Sequence, residues 1–314
     1  MWNNKSLYAL PLIAALFWGG NFVAGRAALD ELPPFSLSFL RWSIALLVLL
    51  PFTWRGIVSE ASFYRSQWKE ISFLGLLGIA AFTPLVYLSI LHTSTINAAM
   101  LAASSPMMIV LMAFVLLGDR ISGRQLAGFI VSLMGVLWIV SKGAITQLGQ
   151  FHWNTGDIIM LASNVIWALY SIRIRKADPR LTGMRGFTLS IAVSLLFLLP
   201  GTLWEVYGQG VLLFQPAAAW NVLYLGVFAS VVSFLCWNKS IALLGPGKAS
   251  PFLNFIPVFA ALFSVLFLNE RLQVAQAVGG MFILAGVYLS SLTKRSVPKV
   301  REQGETGVPQ EVNA

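Results

Sequence analysis

Residues able to do covalent or metal chemistry are scarce in this chain. One cysteine, Cys236, occurs among 314 residues, which excludes an intrachain disulfide, a CxxC redox pair and a thiolate zinc site. It falls inside an apolar run, where a buried inert thiol is the expectation. The two histidines, His92 and His152, lie near the ends of apolar runs, so no metal site or catalytic triad is expected. Paired carboxylates and an activated serine are missing too, and with them the parts of a membrane-embedded, lipid-modifying enzyme. There is no GxxxxGK followed by Ser or Thr, so ATP does not drive anything through a P-loop within these residues. No cofactor is called for.

Charge is equally sparse, at 11% of residues against 57% hydrophobic. A soluble domain could not hide so much apolar surface, so the expected solvent is lipid. The formal charge of +9 could suggest nucleic acid. The Lys and Arg sit instead in short connectors between apolar runs, with no basic stripe or RNA-binding motif, and nucleic acid is not an expected partner. Lys5 before Leu7–Phe17 imitates a signal peptide, but the run continues to Ala24 without a clear cleavage site. It reads as a retained first span.

Runs of about 20 residues cross the hydrocarbon as helices. Ten are expected, roughly at 7–28, 35–52, 71–91, 96–117, 123–141, 156–174, 184–203, 218–241, 249–268 and 273–292. With the N-terminus inside, the outer connectors hold only Arg26, Lys142 and Arg271. Every other Lys and Arg, apart from Arg41 within the second run, falls on the inner side. The positive-inside rule then puts both termini in the cytoplasm.

One block occurs twice at constant spacing. The first copy reads Pro106, Gly118-Asp119-Arg120, Gln125, Gly128 and Gly135; the second reads Pro257, Asn269-Glu270-Arg271, Gln276, Gly279 and Gly286. Five spans separate the two acid-Arg turns, so the copies have opposite topology. Inverted halves are the mark of an alternating-access carrier. The expected fold class is an all-α integral membrane protein of ten transmembrane helices in two inverted five-helix repeats. The repeats cover residues 1–145 and 150–295, followed by a polar tail, 296–314, expected to be disordered.

This pattern, with the opening Leu16-Phe17-Trp18-Gly19-Gly20-Asn21-Phe22, resembles the EamA-type ten-helix exporters of the drug/metabolite transporter superfamily. The resemblance covers about residues 7–293 and is nearest to bacterial inner-membrane exporters of aromatic or neutral amino acids. It implies a secondary transporter exporting such amino acids and related small metabolites. Carriers of other metabolites or drugs share the architecture. A carrier of multiply charged phosphates would want several Lys or Arg at mid-depth, and the spans offer none there. A lipid-modifying enzyme and a non-transporting receptor are the competing classes. No acid or His lies at mid-depth, which favours facilitated transport or exchange over proton coupling.

In inverted-repeat carriers the substrate meets the protein near the midplane. Counting along the spans at about 1.5 Å per residue gives the candidate substrate contacts. They are Trp18 and Asn21, Tyr87, Ser104 and Ser105, Asn164, Trp167 and Tyr170, Trp237, and Asn254. Thr83, Ser230 and Ser233 lie at the same depth. Rings there either stack on a flat substrate or pack the core. Pro106 and Pro257 each free a carbonyl one turn back, and are expected to act as hinges; a static kink satisfied by local side chains is the alternative.

Trp42, Trp54, Trp68, Trp153, Trp204 and Trp220 fit a belt at the lipid headgroups. For Arg41 the preferred reading is snorkelling to the outer surface beside Asp30 or Glu31, with a substrate carboxylate as the alternative partner. The acid-Arg turns, Asp119-Arg120 and Glu270-Arg271, read as span-end anchors and turns, with gating of the pathway as the alternative, and the paired glycines as sites of close helix packing.

Overall fold

Backbone in lipid must satisfy its hydrogen bonds within itself, and apolar runs of this length do so as helices. The computed structural model describes residues 8–118, 121–143, 154–213, 215–244 and 250–291, and no strand occurs among them. Asp119, Arg120, Trp153 and the tail 296–314 lie outside the described residues.

Seven helices are long and apolar enough to cross a bilayer, and three more apolar helices are shorter. In chain order, α1 is Ala9–Leu29 and α2 is Pro34–Ser59. α3 is Trp68–His92. The fourth apolar run breaks into α4, Thr95–Ala102, and α5, Ser105–Leu117. α6 is Gly123–Val140, α7 is Thr155–Lys176 and α8 is Met184–Gly208. α9, Pro216–Trp237, continues helical to Leu244. α10 is Phe255–Phe267, preceded by a 3₁₀ turn at Ser250–Asn254, and α11 is Val274–Ser291.

Three helices widen into π geometry: α3 at Leu76–Ala81 and α9 at Leu225–Val232 along their length, and α8 in its last turn, Trp204–Gly208. An i→i+5 segment inside an α-helix turns the following side chains relative to the preceding ones and is frequent at functional sites. The acid-Arg turn also has a backbone signature in both copies. Gly118 ends α5 at φ 67° and Asn269 follows α10 at φ 54°. Only glycine and, less readily, asparagine take this left-handed conformation with little strain, which explains the residue types at the head of each turn.

The most extensive pairing runs between α6 and α11, followed by α2 with α8 and α1 with α10. α7 packs on α3 and α5, and α9 packs on α1 and α2. Glycine sets the first of these pairings. A Cβ on Gly135 would sit 2.5 Å from the Gly279 carbonyl, and one on Gly279 would sit 2.8 Å from the Gly135 carbonyl. The backbones of α6 and α11 therefore touch, as expected of small residues at a membrane helix crossing.

The helix ends are capped by side chains from across the bundle. Glu270 accepts from the Thr95 and Ile96 amides, at 3.0 and 3.1 Å, and so caps α4. Glu205, at the end of α8, accepts from the Phe35 and Ser36 amides at the start of α2, at 3.0 and 2.6 Å. The expectation that the acid-Arg turns anchor helix ends holds for Glu270. At the opposite end of the bundle, Glu60 pairs with Arg185 and Glu70 with Arg173. Nearby, burial pushes the Tyr64 phenol up, and the Arg180 guanidinium holds the Asp178 carboxyl low.

Candidate functional site

α1 is brought close to α9 and α10 by Gly19 and Gly20. A Cβ on Gly19 would lie 2.5 Å from Phe259 Cβ and 3.0 Å from the Ala260 nitrogen, and one on Gly20 would strike the Tyr224 hydroxyl. The side chains flanking this pair, Trp18 and Asn21, face a central cavity. Cavities that are mostly apolar with a few converging polar groups accept small organic ligands. α2, α3, the α4–α5 break, α7, α9 and the segment leading into α10 complete the walls.

Arg41 occupies this cavity, which corrects the snorkelling reading. The side chain is buried, at 6% exposure. Its Nη1 donates to Asn21 Oδ1 at 2.6 Å and to the Tyr87 hydroxyl at 2.9 Å, and Nε donates to Ser230 Oγ at 2.7 Å. The guanidinium carbon also lies 5.1 Å from the centre of the Trp42 ring, within cation–π range. Asp30 lies instead 3.8 Å from Arg26 on its own helix. Arg41 has no carboxylate partner among the described residues.

The reason lies in helix phase. Ser38, Arg41, Trp42, Ala45 and Leu49 are the buried face of α2, at spacings of three and four, while Leu47 and Phe52 face outward. Trp42 belongs to the same face. It is 2% exposed, its Nε1 donates to Thr83 Oγ1 at 3.1 Å, and it lines the cavity. The belt assignment is therefore wrong for Trp42, whereas Trp54, Trp68, Trp204 and Trp220 are exposed as a belt requires. Ser230 reaches Arg41 from the π segment of α9, and its Oγ donates in turn to the Leu225 carbonyl five residues back.

Opposite Arg41, the break between α4 and α5 opens ahead of Pro106. The carbonyls left behind are taken up locally. Leu101 O accepts from Ser104 Oγ at 2.7 Å and from Asn164 Nδ2 at 2.9 Å, while Ala102 O accepts from Ser105 Oγ at 2.5 Å. Asn164 Oδ1 lies 2.9 Å from Ser105 Oγ, so α7 holds both sides of the break. Asn254, just before α10, has no side-chain hydrogen bond among the described residues and faces the cavity.

Of the candidate contacts, Trp18, Asn21, Ser105, Asn164, Trp167 and Asn254 line the cavity, as does Pro106. The others stand behind it. Tyr87 is fully buried and supports Arg41; Ser104 is buried beneath Asn164. Tyr170 packs on Trp167, ring centres 5.2 Å apart, and Trp237 packs on Trp18 at 5.8 Å. Pro257 is buried in α10, away from the cavity lining. Arg41, for which substrate contact is the alternative sequence reading, also lines the cavity, and Trp42, Gly78, Phe82 and Phe234 line it without being among the candidates.

A model of the EamA-like transporter family matches residues 5–141 and again residues 154–292. The chain belongs to the EamA-like transporter family. It is a multi-pass membrane transporter. An uncharacterised transporter of Archaeoglobus fulgidus is 29% identical over 92% of this chain and 98% of its own length. A "probable terminal-alkyne amino-acid exporter" of Streptantibioticus cattleyicolor is 27% identical over 97% of this chain and 98% of its own. A "probable amino-acid metabolite efflux pump" of Escherichia coli is 24% identical over 90% of this chain and 93% of its own. One solved crystal structure shares the fold, with a TM-score of 0.59 at 20% identity, covering 92% of this chain and 98% of that one.

Proposed function

We propose that this transporter exports aromatic or neutral amino acids and related small metabolites by alternating access, without ATP. The observation that carries the reading is the cavity. Polar groups from both family-matched segments converge on it, Asn21 and Arg41 from the first and Asn164 and Asn254 from the second, with Ser230 holding Arg41 from behind. Aromatic walls supplied by Trp18, Trp42 and Trp167 suit an apolar side chain. Two relatives are named for amino acids or their metabolites.

In this reading the chain crosses the membrane ten times, as two inverted five-helix repeats. Two features support it. The π segments of α3 and α9 hold the same place in the two matched segments. The pairings α2 with α8 and α6 with α11 each join equivalent helices of the two segments. The Lys and Arg asymmetry of the connectors supports cytoplasmic termini in a bacterial inner membrane.

The α4–α5 break before Pro106 and the 3₁₀-to-α change before Pro257 are the bends through which one face closes as the other opens. The described cavity lining has no Asp, Glu or His, which favours facilitated diffusion or exchange.

Purified protein in liposomes, loaded with labelled phenylalanine, tryptophan, leucine or threonine and assayed with and without a pH gradient, tests the reading. Equilibration of at least one label, with no accumulation driven by the gradient, is expected. Flux of none, or altered lipid in place of flux, contradicts it.

A further inference from the structure

We infer that Arg41 is the receptor for a substrate carboxylate, so that the cavity takes free acids and discriminates against their amides and amines. The inference rests on the transport reading for the route of the substrate, and names the chemical group the site reads.

A guanidinium carries its charge throughout the physiological range and presents five donors in a rigid fork. Burying such a charge within a membrane protein is costly, and it is normally met by a carboxylate or by water in a cavity. Arg41 is buried, and no carboxylate among the described residues meets it. Its described acceptors are the neutral Asn21, Tyr87 and Ser230, reached from Nη1 and Nε. Nη2 donates to no described residue, while the side chain lines the cavity. Three helices contribute those acceptors, so the fork is held in one orientation rather than free to swing out.

Neutral dipoles orient the guanidinium but leave its charge uncompensated. An entering anion is the partner that completes it, through the paired N–H bonds that make Arg–carboxylate contacts strong and directional. The described lining carries no acid to balance Arg41, so the site has a fixed positive sign. A zwitterionic amino acid fits, because its ammonium can meet the Asn254 amide oxygen, which has no partner among the described residues, or the face of an indole. A purely cationic ligand lacks the group that pairs with Arg41 and is repelled by it. The selectivity therefore lies in the acid group, with the aromatic walls accepting a range of side chains.

The test begins with the wild-type protein and ends with two variants. Purified protein is titrated with matched sets of phenylalanine, tryptophan, leucine and threonine, their amides, and the corresponding decarboxylated amines. Binding is read as a rise in unfolding temperature in detergent, and flux is measured on the same compounds in liposomes. Free acids are expected to bind, with amides and amines weaker by roughly tenfold or more. Arg41→Lys should bind the acids weakly, and Arg41→Gln should lose the preference for acids. Amides or amines that bind as well as acids overturn the inference. So does an Arg41→Gln protein that keeps wild-type affinity for acids, or the binding of no acid at all. Acid-selective binding without flux upholds the Arg41 site and overturns the transport reading instead. Flux without acid selectivity does the reverse.

Discussion

Arg41 Nη1 lies 2.6 Å from Asn21 Oδ1, a bond that ties α2 to α1 at the wall of the cavity. The same guanidinium holds α3 through Tyr87 and α9 through Ser230. Binding geometry and helix assembly are thus coupled at one residue.

Replacing Asn21 separates the two roles. Asn21→Ala removes an acceptor from a buried guanidinium and should cost about 1–3 kcal/mol of stability. Asn21→Asp supplies an internal carboxylate, so the protein should unfold no earlier than wild type. Its acid binding should nevertheless fall by roughly tenfold, because the charge is already compensated. Unfolding temperature and acid titration on both variants check the pair; Asn21→Asp with undiminished acid binding would contradict the account.

The α6–α11 crossing has no room for a side chain. Gly135→Ala puts a methyl 2.5 Å from the Gly279 carbonyl, and overpacking of this kind typically costs about 1–3 kcal/mol. Gly135→Leu should be worse. Gly123 has open space around it, so Gly123→Ala serves as the control and should be close to neutral in the same thermal unfolding series.

Glu270 accepts from two amides at the start of α4, Thr95 and Ile96. Glu270→Ala should lower stability by about 1 kcal/mol, the usual worth of an N-cap. Glu270→Gln keeps one acceptor and should recover part of that. Amide exchange localised to Thr95–Asn97 is the readout; uniform protection there in Glu270→Ala would show that the cap does not hold the helix end.

Pro106→Ala should restore a donor at the head of α5 and favour a continuous helix through Ala103 and Ser104. If the break is a hinge, the maximal exchange rate should fall several-fold with little change in acid affinity. A change in affinity alone would mean that Pro106 shapes the pocket and does not govern its motion.

Position along the apolar runs was the part of the site that the sequence made legible. Trp18, Asn21, Ser105, Asn164, Trp167 and Asn254 line one cavity, whereas Tyr87, Ser104, Tyr170 and Trp237, at similar positions along their runs, do not. The turn residues were legible too, since the Gly118 and Asn269 types reflect a left-handed backbone. Rotation about the helix axis was not. Arg41 and Trp42 were assigned outward from their distance to a span end. The spacing of Ser38, Arg41, Ala45 and Leu49 on one face was the signal that could have turned them inward. The π segments left no such signal, because they are a backbone property that packing selects. Without them the reach of Ser230 to Arg41 could not be seen.

Alternating exposure of the cavity is tested most directly by thiol labelling at Ser105. In a Cys236→Ser background, Ser105→Cys is placed in oriented membrane vesicles and treated with a membrane-impermeant thiol reagent from either face, with and without a transported acid. Reactivity from both faces is predicted, with substrate raising one and lowering the other. Reactivity confined to one face under every condition would contradict the account.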